Sequence, residues 1–104
     1  MIRTRCCDLF GIDVPIVQTG MGWVAGPRLV SATADAGALG ILASATMTFD
    51  ELDRAIAEVQ ERTDRPFGVN LRADAEDADA RVALLVRRGV KVASFALAPR
   101  ESQV

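Results

Sequence analysis

The sequence predicts an α/β fold of parallel strands, and three observations predict it. Four short apolar runs recur along the chain: Ile16–Gln18, Leu39–Ala43, Phe67–Asn70 and Val90–Phe95. The segments between them carry apolar residues at helical spacing, closed by glycines at 37 and 89. Alternating short strands and amphipathic helices imply parallel pairing through right-handed crossovers. Aromatic residues make up only 5% of the 104 residues, so the core has to be built from Ala, Val, Leu and Ile.

Each element has its own local reason. Cys7–Ile12 reads as a short lead-in that stops at Gly11. Ile16–Gln18 is the first strand. A helix starts at Pro27, a residue preorganised for a first helical position, and runs to about Ala36, where Gly37 stops it. Leu29, Val30 and Thr33 are its expected inward face. Leu39–Ala43 is nearly all apolar, as a strand covered on both faces has to be. Thr48 followed by Glu51 is a capping box that opens a second helix. There Leu52, Ile56 and Val59 recur on one side, while Asp53, Arg54, Glu58 and Glu61 lie mostly on solvated faces. Phe67–Asn70 is the third strand. The acidic stretch Asp74–Asp79 reads as a loop and the first turn of a third helix, where carboxylates complement the helix dipole. That helix ends at Arg87-Arg88 with Gly89 as its stop, Val90–Phe95 is the fourth strand, and Pro99 opens a further helix.

Four such units form either an open doubly wound sheet or half of a (β/α)8 barrel. Ligands sit at the carboxyl ends of the strands in both. Gly20–Gly22, Ser44, Asn70 and Ser94 all fall at those ends, so polar and glycine-rich chemistry is concentrated on one rim. In Gln18-Thr19-Gly20-Met21-Gly22-Trp23, two glycines flank one large side chain. A residue without Cβ lets a flat ligand lie against the backbone and reach its N–H groups. An ordinary strand-to-helix connection is the alternative. Asn70 offers donors and an acceptor in a compact frame that suits the edge of a flavin or nucleotide ring. Its alternative is to cap the following turn.

Other classes are disfavoured by composition. Net charge is −2, from 12 basic and 14 acidic residues spread through the chain, without the basic patch that nucleic acid requires. No run approaches membrane-spanning length, and no apolar segment follows Arg3 and Arg5, so a cytoplasmic location is expected and no membrane partner. Eleven of the 12 basic residues are arginine, with Lys91 the exception, which reads as compositional bias and not as a phosphate site. Cys6 and Cys7 are adjacent, and the chain has no histidine, so neither a disulfide framework nor a zinc site is expected. The missing histidine also removes the commonest general acid or base, and no catalytic residue is assigned.

Three stretches carry a family resemblance: Pro15–Val24, Ala36–Leu42 and Pro66–Asn70. Together they resemble the N-terminal third of the nitronate monooxygenase family, which includes the 2-nitropropane dioxygenases and the FMN-dependent enoyl-acyl-carrier-protein reductases. The Met21-Gly22-Trp23-Val24 version is similar to the enoyl-reductase branch. The resemblance runs from about Cys7 to Pro99. It implies the N-terminal (β/α)4 portion of a TIM (β/α)8 barrel that binds FMN at its C-terminal rim, with NAD(P)H as reductant in the reductase branch and a small-molecule substrate. It also implies that the Gly20-Met21-Gly22 backbone lies against the isoalloxazine ring, that Asn70 bonds near the flavin or its ribityl chain, and that Trp23 is a candidate wall of the substrate pocket. Ala96-Leu97-Ala98-Pro99 departs from the family pattern after Ser94-Phe95, so that loop is given no cofactor contact. The family's phosphate loops and catalytic histidine lie after later strands.

A complete barrel of this kind needs about 250 residues. The first expectation is therefore the N-terminal portion of an FMN-dependent oxidoreductase acting on an enoyl thioester, or on an alkyl nitronate. The second is a truncated, inactive half-barrel or association module whose edge strands call for self-association or a missing C-terminal half. A flavodoxin-like open sheet is disfavoured, because Gln18-Thr19-Gly20-Met21 supplies no acidic or phosphate-handling residue.

Overall fold

A computed structural model describes residues 2–104. The order is α1 (Arg5–Phe10), β1 (Val17–Gln18), α2 (Pro27–Asp35), β2 (Leu39–Ala43), α3 (Phe49–Arg62), β3 (Gly68–Arg72), α4 (Ala78–Arg88) and β4 (Val92–Ala96), then a 3-10 turn at Glu101–Gln103. The four strands pair in parallel in the order β1-β2-β3-β4. Each right-handed crossover therefore steps one strand in the same direction, which puts α2, α3 and α4 on one face. A doubly wound sheet would reverse its strand order and cover both faces. The chain forms the (β/α)4 arc of a (β/α)8 barrel.

The helices form where the local chemistry says they should. Thr48 accepts from the Glu51 N–H while the Glu51 carboxylate accepts from the Thr48 N–H, closing the capping box of α3. Leu52, Ala55, Ile56 and Val59 form its buried stripe. Gly89 ends α4 in the left-handed conformation at φ 74°. On α2 the buried positions are Val30, Ser31 and Ala34; Leu29 and Thr33 are only partly covered. The helix is rotated about its axis relative to the expected face, because α2 is seated on Gly40. A Cβ there would come within 2.6 Å of the Val30 carbonyl oxygen. Only glycine lets the helix backbone approach the strand so closely.

Two apolar clusters result. Val30, Leu42, Leu52, Ile56, Val59, Val69, Leu71 and Leu84 fill the space between helices and sheet. On the opposite face, Cys7 and Ile12 cover Leu39 and Ile41, with Phe10 and Val92 beside them. Cys7 thus behaves as a small apolar core residue, whereas Cys6 is exposed on α1.

The lead-in is a helix, contrary to the reading of Cys7–Ile12 as a simple approach segment. Six residues with one buried side chain leave no periodic signal, and Gly11 at φ 71° marks its end. The later strands are also displaced along the chain. β3 and β4 continue through Arg72 and Ala96, which are register partners, so ladder pairing carries them past their apolar runs. After Pro99 the chain makes only a 3-10 turn, Glu101–Gln103.

Candidate cofactor site at the strand tips

In a parallel sheet, register partners point to the same face. Ala43, Asn70 and Ser94 are partners across β2, β3 and β4, on the face away from α2–α4. Asn70 is therefore not the last residue of its strand, as the sequence suggested, but the middle of a layer just below the rim. Its Nδ2 donates to the Ser94 Oγ at 3.1 Å, and its backbone carbonyl accepts from the Ser44 Oγ at 2.6 Å. Ser44 is 1% exposed. This leaves one N–H and the Oδ1 of Asn70 uncommitted among the described residues.

The two sequence motifs meet. After β1 the chain crosses the tip of β2, and a Cβ at Gly20 would stand 2.7 Å from the Asn70 Cβ and 3.4 Å from the Leu42 carbonyl oxygen. The reason for glycine at 20 is thus contact with Asn70, and not an unusual backbone angle. A Cβ at Gly22 would touch the Thr46 methyl at 3.2 Å, on the loop that follows β2. The turn is closed by the Val24 and Ala25 N–H groups, which both donate to the Met21 carbonyl, and the Ala43 N–H donates to Ala25. Met21 and Trp23 project outward from it, Trp23 at 88% exposure. Trp23 holds φ at 67°, a left-handed conformation that bulky side chains adopt only under constraint. Such strain concentrates at ligand sites.

Sequence reasoning gave two residues here no role of their own. The Gln18 amide donates to the carbonyls of Thr19 at 2.6 Å and Ile41 at 3.1 Å, and its buried Oε1 has no donor among the described residues. A polar residue closing an apolar strand was the available signal. Arg81 on α4 donates to the Ser44 carbonyl at 2.8 Å and the Met47 carbonyl at 2.7 Å, and it pairs with Asp77. Nothing in the sequence singles out this arginine from ten others.

The site holds no ionisable group within its polar layer. Arg72 shares the inner face, but Asp74 neutralises it through two bonds of 3.0 and 2.9 Å. That pairing holds the Asp74 carboxyl below its usual range, chiefly through the hydrogen bonds from Arg72. Among the described residues no group of His, Cys, Asp or Glu could hold a metal ion, and no helix is long and apolar enough to cross a membrane. A cavity of about 750 Å³ lies at the opposite end of the sheet among Phe10, Gln60, Thr63, Arg65 and Phe67. It marks the N-terminal ends of the strands, the end of such barrels that supports stability and not chemistry.

The sequence model of the family "Nitronate monooxygenase" matches residues 3–83. The chain belongs to the nitronate monooxygenase family. It is 66% identical over 103 residues to (3aS,4S,5R,7aS)-5-hydroxy-7a-methyl-1-oxo-octahydro-1H-indene-4-carboxyl-CoA dehydrogenase of Mycobacterium tuberculosis, an alignment covering 99% of this chain and 29% of that protein. A probable nitronate monooxygenase of Bacillus subtilis is 46% identical over 63 residues, covering 60% of this chain and 18% of the relative. Among solved structures, FabK of Thermotoga maritima superposes with a TM-score of 0.89 at 40% identity, over 94% of this chain and 32% of that one. The chain thus spans less than a third of the length of these similar proteins. This is an oxidoreductase family, and the matched portion carries the first strand tips of the barrel.

Proposed function

We propose that this chain forms the ring-binding side of an FMN site in an oxidoreductase that acts on a coenzyme A thioester. The observation that carries the reading is the 66% identity over 99% of the chain with a CoA-thioester dehydrogenase. The likeness to nitronate monooxygenase is weaker and shorter, at 46% over 60% of the chain.

The residues present fit a flat, polar-edged group. The Gly20-Met21-Gly22 turn offers backbone without side-chain obstruction, Met21 supplies an apolar surface, and Asn70 has an uncommitted acceptor and donor. Bound FMN would supply two-electron redox chemistry, which side chains cannot. The turn would hold the ring face, Asn70 would fix the ring edge or ribityl chain, and Trp23 would border the substrate. Phosphate binding and proton transfer fall to residues outside this chain. NAD(P)H is the reductant if the reaction runs as a reduction.

The test uses the full-length protein that contains this chain. After free flavin is removed, its visible spectrum should show bound FMN. Under anaerobic conditions a hydroxylated bicyclic acyl-CoA should bleach the flavin band. Bleaching by an alkyl nitronate and not by the thioester would overturn the substrate assignment, and a colourless protein would overturn the cofactor assignment.

A further inference from the structure

A continuous chain of polar contacts runs beneath the strand tips, from α4 to β4. It starts at Arg81, one turn into α4, whose side chain is 12% exposed. Each of its three nitrogens donates: Nε to Asp77 Oδ2 at 2.8 Å, Nη1 to the Ser44 carbonyl at 2.8 Å and Nη2 to the Met47 carbonyl at 2.7 Å. Two carbonyls of the β2–α3 loop are thus held by one planar fork, and an ammonium on a flexible stem would not reproduce that geometry. Ser44, whose carbonyl is gripped, turns its buried hydroxyl to the Asn70 carbonyl at 2.6 Å. Asn70 in turn donates to Ser94 at 3.1 Å.

We infer that Arg81 is a positioning residue for Asn70: it holds the Ser44 loop, whose hydroxyl fixes the Asn70 backbone carbonyl and thereby the point from which the Asn70 side-chain amide reaches Ser94. The inference rests on the FMN reading above for its consequence, but not for its geometry. The loop carbonyls of Ser44 and Met47 face inward from a connection whose neighbours Ala45 and Thr48 are exposed. Among the described residues, Arg81 adds the one charged donor to a loop otherwise tied by the Met47 N–H to the Ser44 carbonyl and by the Thr48–Glu51 cap. Without it the Ser44 hydroxyl would lose part of its aim on β3. Charge-assisted hydrogen bonds of this kind, in a partly buried site, are stronger than neutral ones. The same loop carries Thr46, whose methyl would meet a Cβ at Gly22 in the other half of the site.

The full-length protein is tested as wild type, Arg81→Lys, Arg81→Met, Asn70→Ala and the Arg81→Met/Asn70→Ala double variant. The first readout needs no flavin: the Asn70 side-chain amide signal in NMR spectra of the apoprotein. It should be sharp in wild type and broadened or displaced in Arg81→Met and Arg81→Lys. The second is FMN affinity by fluorescence quenching. Arg81→Met should weaken binding about tenfold, the scale of one charge-assisted hydrogen bond. The double variant should bind no more weakly than Asn70→Ala alone, because a residue that acts through Asn70 has nothing left to position. An unchanged Asn70 signal in Arg81→Met overturns the inference, as do additive losses in the double variant. A lowered melting temperature with unaltered FMN affinity reduces Arg81 to a structural clamp and overturns it too. A wild-type protein with the expected amide signal and response but no FMN affinity would sustain the relay while sinking the flavin reading.

Discussion

Gly20 and Asn70 are far apart in sequence yet constrain one another at a separation that leaves no room for a methyl group. A Cβ at 20 would stand 2.7 Å from the Asn70 Cβ, so Gly20→Ala has to push the turn off β3. Overpacking of this sort costs about 1–3 kcal/mol. Urea denaturation should show that loss, together with reduced flavin content in the full-length protein. A variant with native stability would mean that the turn can move freely. Asn70→Ala, by contrast, removes polar contacts and leaves the backbone in place. It should weaken flavin retention with little loss of folding, and unchanged FMN content after purification would count against its assigned role. Trp23 belongs with these residues: an indole held outward at a positive φ is costly to keep for packing that the described residues do not provide.

Among the helices, α3 carries the clearest local design. Both halves of its capping box are made, and Thr48→Ala should lower stability by about 1 kcal/mol. The box also has a pH signature. Hydrogen bonding from Thr48, first from its backbone N–H, holds the Glu51 carboxyl below the usual glutamate value. A depressed folded-state value means that the contribution is present above the unfolded value and is lost as pH falls through the folded one. The wild-type and Glu51→Gln proteins should therefore differ most at neutral pH and converge in acid, below the normal glutamate range. Parallel pH–stability curves for the two would refute the coupling. The strands behave differently, because their ends depend on partners. Asn70 reads as a strand terminus in the sequence, and only pairing with Ala43 and Ser94 places it inside a layer.

The assembled sheet is covered on one face by α2–α4 and at the bottom of the other by α1, with β1 and β4 as its edges. Burial falls off accordingly, from β2, buried throughout, to β4, which is nowhere fully buried. Unpaired parallel edges invite further strands. Expressed alone, the 104-residue chain should elute from size exclusion well above its 11.1 kDa and should retain no flavin colour after incubation with FMN. A compact dimer that keeps the colour would mean instead that two copies complete the site.

Periodicity, turn residues and caps were enough to place four strands, three of the helices and the common rim, because those signals are local and repeat along the chain. The three stretches Pro15–Val24, Ala36–Leu42 and Pro66–Asn70 were enough to indicate the family. The short helix α1 left no trace in the pattern, since six residues offer too few turns for a period to register. The meeting of Gly20 with Asn70, the rotation of α2 onto Gly40 and the grip of Arg81 on the Ser44 loop all join residues distant in sequence. Their positions depend on strand register and helix seating, which no local run of residues encodes. The chemistry of the rim was therefore written in residue types, whereas its geometry was settled when the sheet closed its ladder and the helices packed against it.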